Sequence, residues 1–141
     1  MFRHSNGYFS ILKSENSNFN YYKTDGDADI IKIIPFSDDS IIILKNIICD
    51  IGTKHIIELW DLNISNKYMT YDSLNNLQDL KLLPGKELRL FAYNQNTVRL
   101  YEPCGIYNDI NINNQISSTT IMDNKIVIST SSGILYVLKY Y

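Results

Sequence analysis

Apolar residues in this chain come in short β-branched and aromatic runs, punctuated by Asn, Asp, Gly and Ser. No eleven-residue window follows the 3.6-residue helical period. The runs have the length and composition of strands, and an all-β protein is expected. The clearest stretch begins at Asp29. It predicts strands over Ile30–Ile34, Ser40–Lys45, Ile56–Leu62 and Lys67–Tyr71, with a turn at Pro35-Phe36-Ser37-Asp38-Asp39. In that turn Asp38 and Asp39 are expected to bond back to their own backbone. The segment Asn46–His55 reads as an unusually long loop between the second and third strands. The next stretch predicts Leu77–Leu83, Glu87–Tyr93, Thr97–Tyr101 and a weak strand over Gly105–Ile110. The last predicts Ile116–Met122, Lys125–Thr130 and Ile134–Tyr140. At the other end, Phe2–Ser5, Gly7–Lys13 and Phe19–Lys23 complete the pattern.

These runs repeat. Ile57-Glu58-Leu59-Trp60-Asp61 recurs as Val98-Arg99-Leu100-Tyr101-Glu102, and Gly7-Tyr8-Phe9-Ser10-Ile11-Leu12-Lys13 recurs as Gly133-Ile134-Leu135-Tyr136-Val137-Leu138-Lys139. Aligning Leu12, Trp60, Tyr101 and Leu138 gives a period near 40 residues, the spacing of four-stranded propeller blades. With strands lettered a to d along each unit, the order is b-c-d, a-b-c-d, a-b-c-d, a-b-c. The third strand of each unit is expected to be buried on both faces. The sequence predicts a partial β-propeller of about three to four blades, incomplete at both ends. The units are 1–28, 29–73, 74–112 and 113–141.

The segment from Ile33 to Leu44, followed by Ile57-Glu58-Leu59-Trp60-Asp61-Leu62, resembles one blade of the WD40-repeat family. The Phe36-Ser37-x-Asp39 turn and the Leu59-Trp60-Asp61 strand are the pieces that carry the resemblance. Tyr101-Glu102 stands in the Trp-Asp position of the next unit, and Leu138-Lys139 and Leu12-Lys13 in the outer two. No Gly-His pair precedes any first strand, so the His-centred hydrogen-bond network of many family members is not expected. The resemblance implies structural blade positions at Trp60, Asp61, Tyr101, Leu138, Leu12, Phe36, Ser37 and Asp39. It also implies a non-catalytic scaffold that binds other proteins. A second resemblance, of Gly133-Ile134-Leu135-Tyr136-Val137-Leu138 to propellers with Gly-x-Leu-Tyr-x-Leu strands, ranks below it.

Composition narrows the chemistry. A net charge of −2 in 141 residues supplies no sequence-wide positive field for nucleic acid or an anionic membrane. The longest apolar run, Ile41–Leu44, is too short to span a bilayer. The N-terminal residues lack the apolar stretch of a secretory signal. Two cysteines, Cys49 and Cys104, with no CxxC, suggest free thiols and an intracellular location, cytoplasmic or nuclear. Abundant Ile, Asn, Tyr and Lys point to an AT-rich source genome.

No residue constellation specifies catalysis. His4 and His55 have no neighbouring ligands at metal-binding spacing. Asp25-Gly26-Asp27-Ala28-Asp29 resembles half a calcium loop but lacks its closing Glu. Ser129–Ser132 has no nucleophile motif around it. Lys45, Lys54 and Lys67 read as solvated surface lysines. No cofactor is expected. The partner is expected to be a protein, or a second copy meeting open blade edges where Phe9, Ile11, Leu135 and Val137 are exposed. The Asn46–His55 segment, with Cys49, Asp50, Lys54 and His55, is the first candidate for a partner contact. The competing reading is a propeller enzyme or small-molecule binder that uses a central funnel.

Overall fold

In the computed structural model, residues 1–3, 7–13, 18–24 and 28–140 are described. Among them there are fourteen strands and no helix. In chain order they are β1 (Phe2–Arg3), β2 (Tyr8–Lys13), β3 (Asn18–Lys23), β4 (Ala28–Pro35), β5 (Ser40–Cys49), β6 (Gly52–Asp61), β7 (Asn66–Asp72), β8 (Asp79–Leu82), β9 (Leu90–Tyr93), β10 (Thr97–Tyr101), β11 (Tyr107–Asn111), β12 (Ile116–Met122), β13 (Lys125–Thr130) and β14 (Leu135–Lys139). They form four separate antiparallel meanders: β1-β2-β3, β4-β5-β6-β7, β8-β9-β10-β11 and β12-β13-β14. The grouping of three, four, four and three strands is the one the repeats predict. No sheet closes on itself. His4, Ser5 and Asp25 to Asp27 lie outside the described residues, so the strand end at Ser5 and most of the calcium-like segment do too.

The chain divides into two compact units, 1–73 and 74–141. In the first, β1–β3 and β4–β7 pack through a cluster of Phe9, Ile30, Ile41, Ile43 and Trp60, with Ile11, Tyr22 and Leu62 at its margin. The Trp60 indole meets the Phe9 ring edge-on at 5.4 Å, and Tyr22 stacks on Phe9 from the other side at 5.0 Å. Such geometry adds to area burial through the ring quadrupoles. Phe9 is therefore buried and does not belong to an open face.

In the second unit, β8–β11 and β12–β14 pack through Phe91, Tyr93, Val98, Ile112, Ile116, Ile126 and Ile128. Tyr136 and Leu138 of β14 close over this cluster. Thr24 donates its backbone N–H to the Gly7 carbonyl at 2.9 Å, and Ile112 donates to the Asn96 carbonyl at 2.7 Å. Each bond ties the segment after a sheet's last strand back to the turn before its next-to-last strand.

Turn chemistry sets several boundaries. The Asn94 side chain accepts from the N–H groups of Asn96 and Thr97, closing the β9–β10 turn. Asp123 adopts φ 52° in the two-residue turn Asp123-Asn124, a left-handed conformation that Asp tolerates. The Phe36–Asp39 turn is closed otherwise than expected. Phe36 and Ser37 donate to the Ser40 carbonyl, and Leu62 donates to the Asp39 carbonyl at 2.8 Å. These are backbone bonds, and they join this turn to the end of β6.

The expected long loop over 46–55 is a hairpin. The β5–β6 ladder continues through Asn46↔His55, Ile47↔Lys54, Ile48↔Thr53 and Cys49↔Gly52, and reverses at Asp50-Ile51. β7 stops pairing at Ile56↔Asp72, so the hairpin outruns it. Elsewhere, β9 starts at Leu90 and not Glu87, because Leu83 donates to the Arg89 carbonyl and residues 84–89 form the turn.

Candidate functional site

The third strands are not uniformly apolar. Glu58 in β6 is buried, and so is its partner Lys45 in β5, which the sequence suggested was solvated. The register explains this. Lys45 faces Ile56 and Ile43 faces Glu58, so Lys45 reaches Glu58 diagonally on one face. Lys67 of β7 approaches the same carboxylate oxygen at 3.4 Å, and the Trp60 indole N–H donates to its other oxygen at 2.8 Å. The tryptophan's polar handle is thus satisfied within its own strand, where the WD40 resemblance offers no histidine network.

The equivalent position in the next sheet inverts the charge. Arg99 in β10 forms a two-pronged pair with Asp109 of β11, at 2.6 and 2.8 Å, and its guanidinium lies 3.7 Å from the Tyr107 ring centre. Asp109 sits directly opposite Arg99 in the ladder. The hydrogen bond from Arg99 holds the Asp109 carboxyl below its ordinary value, against a smaller opposing effect of burial. The same bond, partly offset by desolvation, raises Arg99 above its own. Burial pushes the Tyr101 phenol up to about 12, with the Arg99 charge opposing. By the same alignment, the outer sheets carry Ser10 and Tyr136 at this place. Ser10 is buried, and the Tyr136 hydroxyl accepts from the Asn114 amide at 3.2 Å. Every repeat therefore holds a polar group two residues before the Trp60 position. These polar groups are structural, and the sequence reading missed them.

Of the expected blade residues, Trp60 and Tyr101 are buried. Leu138 is partly buried on its core cluster. Phe36 is half-buried, while Ser37 and Asp39 are exposed in the turn, which meets β6 where Ser40 pairs with Asp61. The Asp61 carboxylate accepts from the Asn63 N–H at 2.9 Å and starts the next turn. Leu12 departs from the pattern. It is exposed, because it lies on the side of β2 opposite Phe9.

The candidate partner contact sits on the β5–β6 hairpin. The ladder places Cys49 and Lys54 on one face of the hairpin, with Asp50 in the turn, and His55 three rungs from Cys49 on the opposite face. The Cys49 thiol donates to the Gly52 carbonyl at 3.0 Å. Lys54 lies 4.0 Å from the Asp72 carboxylate, in the open. Burial lowers the His55 pKa below its ordinary value. The more conspicuous residues are two that the sequence reading passed over. Ile48 is 82% exposed and Ile51 is 97% exposed. For Ile51 the available signal was an apolar residue between Asp50 and Gly52.

Two shallow depressions flank the sheets. One, of about 430 Å³, is lined by Gln95, Asn96, Asn111, Asn113, Asn114 and Gln115, with Ile112 beneath. The other lies among Phe19–Tyr22, Leu62, Asn63 and Ser65. Neither lining contains a carboxylate, histidine or thiol. Among the described residues, no group of three His, Cys, Asp or Glu side chains converges as a metal site would require. Ser117, Ser118 and Ser129 share hydroxyl hydrogen bonds of 2.7 and 2.9 Å on an exposed face. Cys49 and Cys104 are both free. No described helix is long and apolar enough to cross a membrane. No protein-family model matches the chain, and no curated protein matches it.

Proposed function

We propose that the chain is a WD40-like propeller segment that serves as a non-catalytic scaffold for binding another protein. The observation that carries this reading is the β5–β6 hairpin, which projects past β7 and ends in two isoleucines with almost no cover. Exposed apolar side chains on a rigid ladder make an anchor that orders little on binding. The four consecutive meanders and the sheet-on-sheet packing within each unit support the blade reading. The joining of the Phe36–Asp39 turn to the end of the Trp60-Asp61 strand supports the family likeness. Free thiols suit a reducing compartment, and we place the protein inside the cell.

The competing reading, a propeller enzyme, draws less support, because the depressions offer amides and aromatic side chains in place of acids and bases. Two measurements test the proposal. A photo-crosslinking residue at position 51, expressed in the source cells, should trap a discrete protein that the same residue at Lys86 does not. No discrete product would overturn the scaffold reading. A thermal-shift screen against nucleotides, sugars and divalent metals should leave the midpoint in place, and a large shift with one class would favour the enzyme.

A further inference from the structure

The depression of about 430 Å³ lies within the second unit, between the β9–β10 turn and the link from β11 to β12. One functional group dominates its lining. Gln95, Asn96, Asn111, Asn113, Asn114 and Gln115 bring six side-chain amides to it, with the buried Ile112 among them. No charged side chain belongs to the lining.

The walls are held in place. Ile112 and Ile116 donate their main-chain N–H groups to the Asn96 and Gln95 carbonyls, each at 2.7 Å, which clamps the link to the turn. The Asn114 amide is fixed at both ends. Its oxygen accepts from the Ser132 hydroxyl at 3.0 Å, and its nitrogen donates to the Tyr136 hydroxyl at 3.2 Å. The Thr97 hydroxyl donates to the amide oxygens of Asn96 and Asn111, at 3.3 and 3.1 Å. That leaves the NH2 groups of both residues to donate elsewhere. Gln95, Asn113 and Gln115 are exposed, and each offers a donor and an acceptor to a ligand.

We propose that this depression binds the main chain of an uncharged, extended peptide segment from another protein. The inference adds a second contact to the scaffold reading and stands on different residues. The inventory of groups selects the ligand. A primary amide presents a donor and an acceptor side by side, and a peptide group returns the same pair. Acidic and basic side chains are rejected at the centre of the segment, because the lining gives a desolvated charge no counterion. A neutral sugar would also satisfy amides, but no aromatic ring lines the depression for its apolar face to stack on. The volume sets the length. It falls at the small end of the range of about 300–1,000 Å³ for ligand sites, which suits a stretch of a few residues. Glycine and serine suit its centre, since a small side chain lets the main chain come close.

The probe is N-acetyl-triglycine amide, which offers main chain and no side chain. Each Asn and Gln side chain gives its own NH2 signal in nitrogen-15 NMR spectra. Titration with the probe should shift the signals of Gln95, Asn113 and Gln115 along one saturable curve. The signal of Asn66, in the other unit, should stay in place. The double variant Gln95→Ala/Gln115→Ala changes two exposed positions, so its denaturation midpoint should match the unaltered chain. Its binding of the probe should weaken by about tenfold. The trisarcosine analogue, whose nitrogens carry methyl groups in place of hydrogens, should not bind. The absence of a saturable shift up to the solubility limit of the probe would overturn the proposal. So would equal shifts with the sarcosine analogue, full binding by the double variant, or shifts with maltotriose and none with the peptide. Each of those results leaves the scaffold reading to the crosslink at position 51, which probes other residues.

Discussion

Glu58 is enclosed by Lys45, Lys67 and the Trp60 indole, so its neighbours depend on its charge and not only on its volume. Glu58→Gln keeps an acceptor for the indole but removes the buried negative charge that Lys45 and Lys67 share. It should cost about 3–5 kcal/mol in urea denaturation. The double variant Lys45→Met/Glu58→Met should recover most of that loss, falling short by the roughly 1–3 kcal/mol of an unsatisfied indole N–H. A Glu58→Gln variant as stable as the unaltered protein would show that the pair is solvated. Trp60→Ala should also cost about 3–5 kcal/mol, since it removes a ring packed on Phe9. Leu12→Ala, at the aligned position, should stay within about 0.5 kcal/mol because the residue is exposed. Asp109 gives a pH signature. Its folded-state pKa is depressed by Arg99, so its contribution is present above the unfolded value near 4 and is lost as pH falls through the folded one. Urea midpoints compared at neutral pH and near pH 3 should therefore fall less for Asp109→Asn than for the unaltered chain. Equal falls would mean that the pair adds nothing.

At the scale of elements, turn chemistry made much of the fold legible. Thr97–Tyr101, Ile116–Met122 and Lys125–Thr130 are observed at the bounds the sequence predicts, because Asn94-Gln95-Asn96 and Asp123-Asn124 punctuate them. The grouping of strands followed from the 40-residue period. The β5–β6 hairpin was hidden, because Asn46, Asp50, Gly52 and Lys54 interrupt the apolar run and imitate a loop. Pairing with β4 at Ala28↔Ile47 and Asp29↔Asn46 helps hold that stretch extended, a tertiary effect with no local trace. The buried ion pair was hidden for a related reason. Lys45 follows four apolar residues and reads as a strand end, and only the cross-strand register brings it to Glu58. The segment 46–55 stood out in the sequence, but its hairpin shape did not. The hairpin's tip should be dispensable for folding. Replacing residues 48–53 by Asn-Gly, to turn directly from Ile47 to Lys54, should leave the midpoint within about 1 kcal/mol, because the remaining ladder still closes on a favoured turn. Loss of the cooperative transition would mean that the tip belongs to the core.

At the scale of the molecule, the architecture is repetitive. Each sheet is a meander of neighbouring strands, and within each unit a third strand leans on the sheet before it. That rule is the one on which the proposal of a propeller segment rests. A polar residue recurs at one position of the repeat, at Ser10, Glu58, Arg99 and Tyr136, the last three with hydrogen-bond partners. The most direct measurement is a crystal structure of the 141-residue chain. In it, Trp60 of β6 should rest on Phe9 of β2 within 1–73, and Tyr136 and Leu138 of β14 should close over Phe91 and Val98 of the preceding sheet within 74–141. An exposed Trp60, or a β12–β14 sheet that does not pack on β8–β11, would contradict the account.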